Sequence, residues 1–136
     1  MAPARAACAL LLCAALAACQ TWGQHQFVLP LAQRGAILAE LQRVGAEHQM
    51  RDCLADAAPP HAVSCFIGGD ASFTFVGARE ARGQLVIDLS YRSAGLMGGS
   101  LYGAIVEDLR GRLRRLCGTA AVQEPAPADQ IPSDAT

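Results

Sequence analysis

The sequence predicts an α+β fold: a two-layer sandwich in which a three-stranded antiparallel meander is covered by two helices, in the order α-β-β-β-α. Three observations predict it. Residues 63–67, 72–76 and 85–91 alternate apolar and polar positions with period two. The stretches on either side, about 33–55 and 100–117, repeat apolar residues at spacings of three and four. Short turn-forming segments separate the alternating runs, and connections of that length join antiparallel neighbours. A three-stranded sheet with one apolar face needs a cover, which two amphipathic helices supply.

The first helix is read from Gln33 to Ala55. Ile37, Leu38, Leu41, Val44 and His48 form one face, while Glu40, Arg43, Glu47 and Arg51 alternate in sign on the other. Gly35 and Gly45 weaken it by about 1 kcal/mol each relative to Ala. Ala57-Ala58-Pro59-Pro60 ends it. The first strand places Val63, Cys65 and Ile67 on one side, and Gly68-Gly69-Asp70 turns the chain. The second alternates Phe73 and Phe75 with Ser72, Thr74 and Val76, and Arg79 to Gly83 reads as a charged hairpin loop. The third, with Leu85, Ile87, Leu89 and Tyr91 on one side, is the clearest of the three. Arg92 to Gly99 is a Gly-rich loop. Ser100 can cap the second helix, whose stripe is Leu101, Ile105, Leu109, Leu113 and Leu116. Its acids precede its arginines, as the helix dipole prefers, and Gly118 suits the C-cap. Residues 119–136 hold three prolines and no aromatic residue, and are expected to be a disordered tail.

Ahead of this domain, Met1 to Arg5 carries one positive charge and Ala6 to Leu16 is an apolar run of 11 residues. Such a run is too short for a bilayer span, which needs about 20 residues, and fits the core of a secretory signal. It ends in Leu16-Ala17-Ala18-Cys19, which resembles the lipobox of bacterial lipoproteins. The resemblance implies cleavage before Cys19 and diacylation of its thiol. Gln20, where the family's inner-membrane members have Asp, implies the outer membrane, facing the periplasm. Acyl chains contribute about 0.8 kcal/mol per buried CH₂, so two or more hold stably. The same residues also fit an ordinary A-x-A cleavage site at Ala15-Leu16-Ala17, or a buried helix of the fold. The expected division is a signal peptide at 1–18, a lipidated tether at 19–33, the α+β domain at 34–118 and the tail at 119–136. In the tether, Trp22 and Phe27 either rest at the membrane interface, where aromatic residues are favoured, or pack on the domain edge.

Composition closes several functions. The chain has 136 residues and a net charge of −1, which gives no electrostatic case for nucleic acid. All 11 basic residues are Arg. Without Lys there is no Schiff-base chemistry and no Walker-type phosphate loop. Of six cysteines, Cys8 and Cys13 leave with the signal and Cys19 takes the lipid. Cys53, Cys65 and Cys117 remain, and an oxidising periplasm favours a disulfide among them. If successive elements alternate in direction, both helices run the same way. Cys53 and Cys117 then meet at one end, and Cys53–Cys117 is favoured over Cys53–Cys65.

The candidate chemistry is thin. His48, Asp52, Cys53, His61 and Cys65 include metal-ligating types, but their spacing matches no zinc pattern. Cys65 with His48 or His61 could be drawn as nucleophile and base, but no strand-turn-helix elbow surrounds it. Gly95-x-x-Gly98-Gly99-Ser100 could offer backbone N–H groups to an anion, and is read as a flexible connection. Leu96 and Met97, flanked by Gly98 and Gly99, are apolar residues in a loop, which marks a contact surface. Arg110, Arg112, Arg114 and Arg115 could meet phosphates or an acidic partner, but read better as a solvated face paired with Glu107 and Asp108. The expectation is a non-enzymatic, membrane-anchored accessory lipoprotein that needs no cofactor or metal and binds an envelope protein partner. The alternative is a binding protein for an apolar or anionic ligand, such as a lipid, held between sheet and helices.

Overall fold

Alternation along the chain builds one antiparallel sheet, and the helical stripes cover one of its faces. The computed structural model describes residues 21–55, 61–68, 72–93 and 100–135. In chain order the elements are β1 (Thr21–Pro30), α1 (Arg34–Glu47), β2 (Arg51–Ala55), β3 (Val63–Gly68), β4 (Ser72–Ala81), β5 (Gln84–Ser93) and α2 (Ser100–Cys117). The α+β class and the meander β3–β4–β5 stand. The three-stranded count does not: the sheet has five strands in the order β1-β5-β4-β3-β2.

Both added strands correct the reading from sequence. Residues 21–30 are no tether. All ten pair with β5, from Thr21↔Ser93 to Pro30↔Gln84. Gly23, His25, Phe27 and Leu29 alternate toward the helices, and Phe27 is fully buried rather than at a membrane interface. Residues 51–55 are strand β2, not the last turns of a longer helix. The helix stops at Glu47 because the chain turns left-handed at Gln49 (φ 58°). Met50 N–H then donates to Gly45 O (2.7 Å) and Gln49 N–H to Ala46 O (3.2 Å), which makes a Schellman cap without glycine.

The extra strand also reverses a helix. Four strands, not three, separate α1 from α2, so the two run antiparallel. Cys53, in β2, is therefore not at the same end as Cys117. The disulfide is Cys53–Cys65, not Cys53–Cys117, and Cys117 is free. Gly45 packs directly over the bridge, where a Cβ would fall 2.2 Å from the Cys53 sulfur. The α1 face that crosses the disulfide thus requires glycine.

Between the layers, Phe27, Ile37, Leu41, Val44, Leu85, Ile87, Leu89, Ile105, Leu109 and Leu113 are buried to 1% exposure or less. The segment after α2 is not a disordered tail. It runs alongside β1, where Val28 and Gln123 exchange backbone hydrogen bonds of 2.8 and 3.0 Å. It then reaches the outer sheet face, where Ile131 closes a second small core with Val28, Ala81 and Val86. Arg79 lies within β4 rather than in a loop. The hairpin tip is only Arg82-Gly83, both at positive φ (54° and 73°), as the two-residue turns that match strand twist require.

Candidate functional site

Strand register sorts the outer face into rows. Trp22, Arg92, Phe73 and Gly68 form the row at the end where β1 begins. Gln24, Ser90, Phe75 and Phe66 form the next, and Gln26, Asp88 and Gly77 the third. The remaining rows lie under the C-terminal segment. The face therefore divides into an aromatic half near the start of β1 and a polar half closed by the chain itself.

The polar half is built around Arg79, which is 1% exposed. Its Nε donates to Asp88 Oδ2 (2.6 Å), its Nη1 to Pro132 O (2.8 Å) and its Nη2 to Ile131 O (2.6 Å). Gln26 adds a two-way contact: its Nε2 donates to Ile131 O (3.1 Å), and Ile131 N–H donates to its Oε1 (2.8 Å). The Gln26 amide also reaches Asp88 (2.9 Å), as does His61 Nε2 (2.9 Å). Gly77 makes the approach of His61 possible, because a Cβ there would lie 2.7 Å from the imidazole. Burial alone would raise the Asp88 carboxyl, but its bonds with His61, Arg79 and Gln26 outweigh that and hold it below its usual range. Every member is tied to another, as a buried polar network needs. It fastens the C-terminal segment.

The other two histidines are used in the same way. His25 Nε2 lies 2.7 Å from Glu124, which also takes the Arg110 guanidinium at 2.9 Å and Arg114 at 3.3 Å. His48 Nε2 lies 3.0 Å from Asp108, which also takes Arg112 Nε at 2.8 Å. Arg112 bridges to Glu40 and Glu47 of α1, and Arg110 to Glu107. Burial opposes the charge on Asp108 and Glu124, yet these hydrogen bonds lower both carboxyls. Arg110, Arg112 and Arg114 thus behave as a paired face. For Arg110 and Arg112, hydrogen bonds to acids reinforce the positive charge.

Among the described residues no three metal-ligating side chains converge. Cys65 lies in the disulfide and is neither a nucleophile nor a free buried thiol. Cys117 is half-buried, and desolvation pushes its thiol up. Cys19 and the loop residues Leu96, Met97, Gly98 and Gly99 lie outside the described residues. No helix among the described residues is long and apolar enough to cross a membrane.

The aromatic half is the remaining candidate. Trp22 is 73% exposed, Phe73 38% and Leu101 39%. Each is the second residue of its element, and all three elements begin at one end of the molecule. Phe66 stacks on Phe73 with ring centroids 5.8 Å apart. Tyr102 stacks on Tyr91 at 5.5 Å, and its ring packs over Gly23, which fixes the start of α2 beside the start of β1. Burial raises the Tyr102 hydroxyl to about 12. At the opposite end an open pocket of about 510 Å³ lies between the hairpin tip, with Glu80 and Arg82, and the terminal Ser133 and Asp134. Sequence reasoning missed Arg79, Asp88, Gln26 and Glu124. The available signal was a pair of opposite charges, Arg79 and Asp88, at diagonal positions on neighbouring strands. Compared with known proteins, the chain matches no protein-family model and no curated protein.

Proposed function

We propose that this protein is a non-enzymatic accessory lipoprotein of the outer membrane, anchored through acylated Cys19, facing the periplasm and presenting its folded domain to an envelope protein. One observation carries the reading: β1 begins at Thr21, two residues past Cys19. An acyl anchor there would be joined to a strand paired along its whole length, not to a slack linker. A domain mounted in this way is held at fixed height and orientation, which suits contact with a neighbour. The use of His25, His48 and His61 as ties to carboxylates that also bind arginines supports contact over chemistry. The far end, with Arg82 and Asp134, would be turned toward the partner.

A ligand held between sheet and helices has less support, because seventeen described side chains fill that space. The test combines mass and proximity. Mature protein extracted from membranes should begin at Cys19 and carry acyl mass. A photo-crosslinking residue in place of Arg82 should capture one envelope protein in intact cells, and Cys19→Ser should abolish the capture. Recovery of the monomer alone from the Arg82 position overturns the partner reading.

A further inference from the structure

We propose that the end of the domain bearing Trp22, Phe73 and Leu101 seats directly on the lipid surface, with Arg92 among the headgroups. This rests on the reading of Cys19 as the lipid-bearing residue. The argument begins with covalent length. Two residues span at most about 7 Å, so acyl chains on Cys19 would hold Thr21 within that distance of the attachment point. A folded protein cannot fit in such a gap, and the surface met at this end is the bilayer itself.

The side chains agree with that surface. The large apolar residues most exposed among those described are Trp22, Phe73 and Leu101, and all three stand at this end. Indole and phenyl rings favour the boundary between headgroups and acyl chains. Register places Arg92 between Trp22 and Phe73. A long basic side chain flanked by rings can lay its stem along them and offer its guanidinium to an anionic headgroup. Arg51, exposed at the start of β2, adds a second basic group at this end. Glu80 and Asp134 belong to the opposite end. Among the described residues the exposed large apolar side chains thus stand at one end of the strands, while the other end mixes both signs of charge, with Glu80, Arg82 and Asp134.

Trp22 is the sole tryptophan of the chain, so its fluorescence reports on this surface alone. The acylated full-length protein is reconstituted into vesicles of phosphatidylethanolamine and phosphatidylglycerol, with or without brominated acyl chains, and Cys19 is scored separately by intact mass. The expected result is a blue-shifted emission that brominated lipid quenches by about twofold, as for an interfacial indole. The double variant Phe73→Ser/Leu101→Ser, folded by circular dichroism, should lose about half of that quenching. An acylated protein whose Trp22 ignores brominated lipid overturns the proposal and leaves the anchor standing. An unacylated Cys19 retires the anchor reading and the proposal together. Shielding of Trp22 from an aqueous quencher without response to brominated lipid means a protein or a second copy covers this end, and also overturns it.

Discussion

Arg79 stands in the middle of a strand with its guanidinium shut away from water. Desolvating a charge is unfavourable by several kcal/mol unless its donors are answered. Here the Asp88 carboxylate and the Ile131 and Pro132 carbonyls answer them. Arg79→Met would leave those two carbonyls without their charged donor and Asp88 without its cation. The expected loss is about 3 kcal/mol, since breaking a buried pair strands the partner. Urea denaturation measures it, and proteolysis after Gly118 should accelerate in the folded variant. Arg79→Lys should fare little better, because one ammonium cannot reproduce a planar fork of donors.

At the scale of elements, the ends of α1 are where local chemistry and outcome diverge most. Gln49 holds the left-handed position of the helix cap, which disfavours residues with a Cβ by about 1–2 kcal/mol. Gln49→Gly should therefore raise stability by about 1 kcal/mol, read as a higher urea midpoint at unchanged slope. The same residue explains why periodicity overextends the helix: without glycine, nothing marks the stop, and Arg51–Ala55 reads as more helix. By contrast β3, β5 and α2 are legible because their inward residues are mostly apolar and their breaks are Gly-rich, whereas β4 is legible only in part, with Thr74 on its inward side and Phe73 and Phe75 on its outward one. α2 spans 100–117 as its stripe implies, although Leu101 overshoots the sheet and stays exposed. β1 hides because Gly23 and His25 interrupt its inward side while Gln24 and Gln26 occupy the outward one. The order of 119–135 hides more deeply. It depends on Arg79, Gln26 and Asp88, far away in sequence, so no local composition could report it. Trp22 and Phe73 come together only through register, which no local pattern in the sequence reports.

For the whole molecule, three lowered carboxyls tie different layers together. Asp88 joins the sheet to the C-terminal segment, Asp108 joins α2 to α1, and Glu124 joins the C-terminal segment to α2 and β1. A carboxyl lowered on folding stabilises above its ordinary value, 3.8 for Asp and 4.5 for Glu, and that contribution is lost as pH falls through the lowered value. Through these three groups, thermal melts should be little changed from pH 7 to about 5 and drop steeply between about 4.5 and 3. A melting temperature that stays level down to pH 3 would show that these ties contribute nothing. The placement of β1 has a further consequence, for a chain made from its N-terminus. The first strand to leave the ribosome finds its partner only when the fifth has followed, with α1, β2, β3 and β4 in between. Phe27 and Leu29 wait through most of synthesis without a neighbour, and pairings of such long separation form slowly. The free edge of β1 waits longer still, for Gln123. A nascent chain, or one truncated before Gln123, therefore exposes a ready template for intermolecular strand pairing.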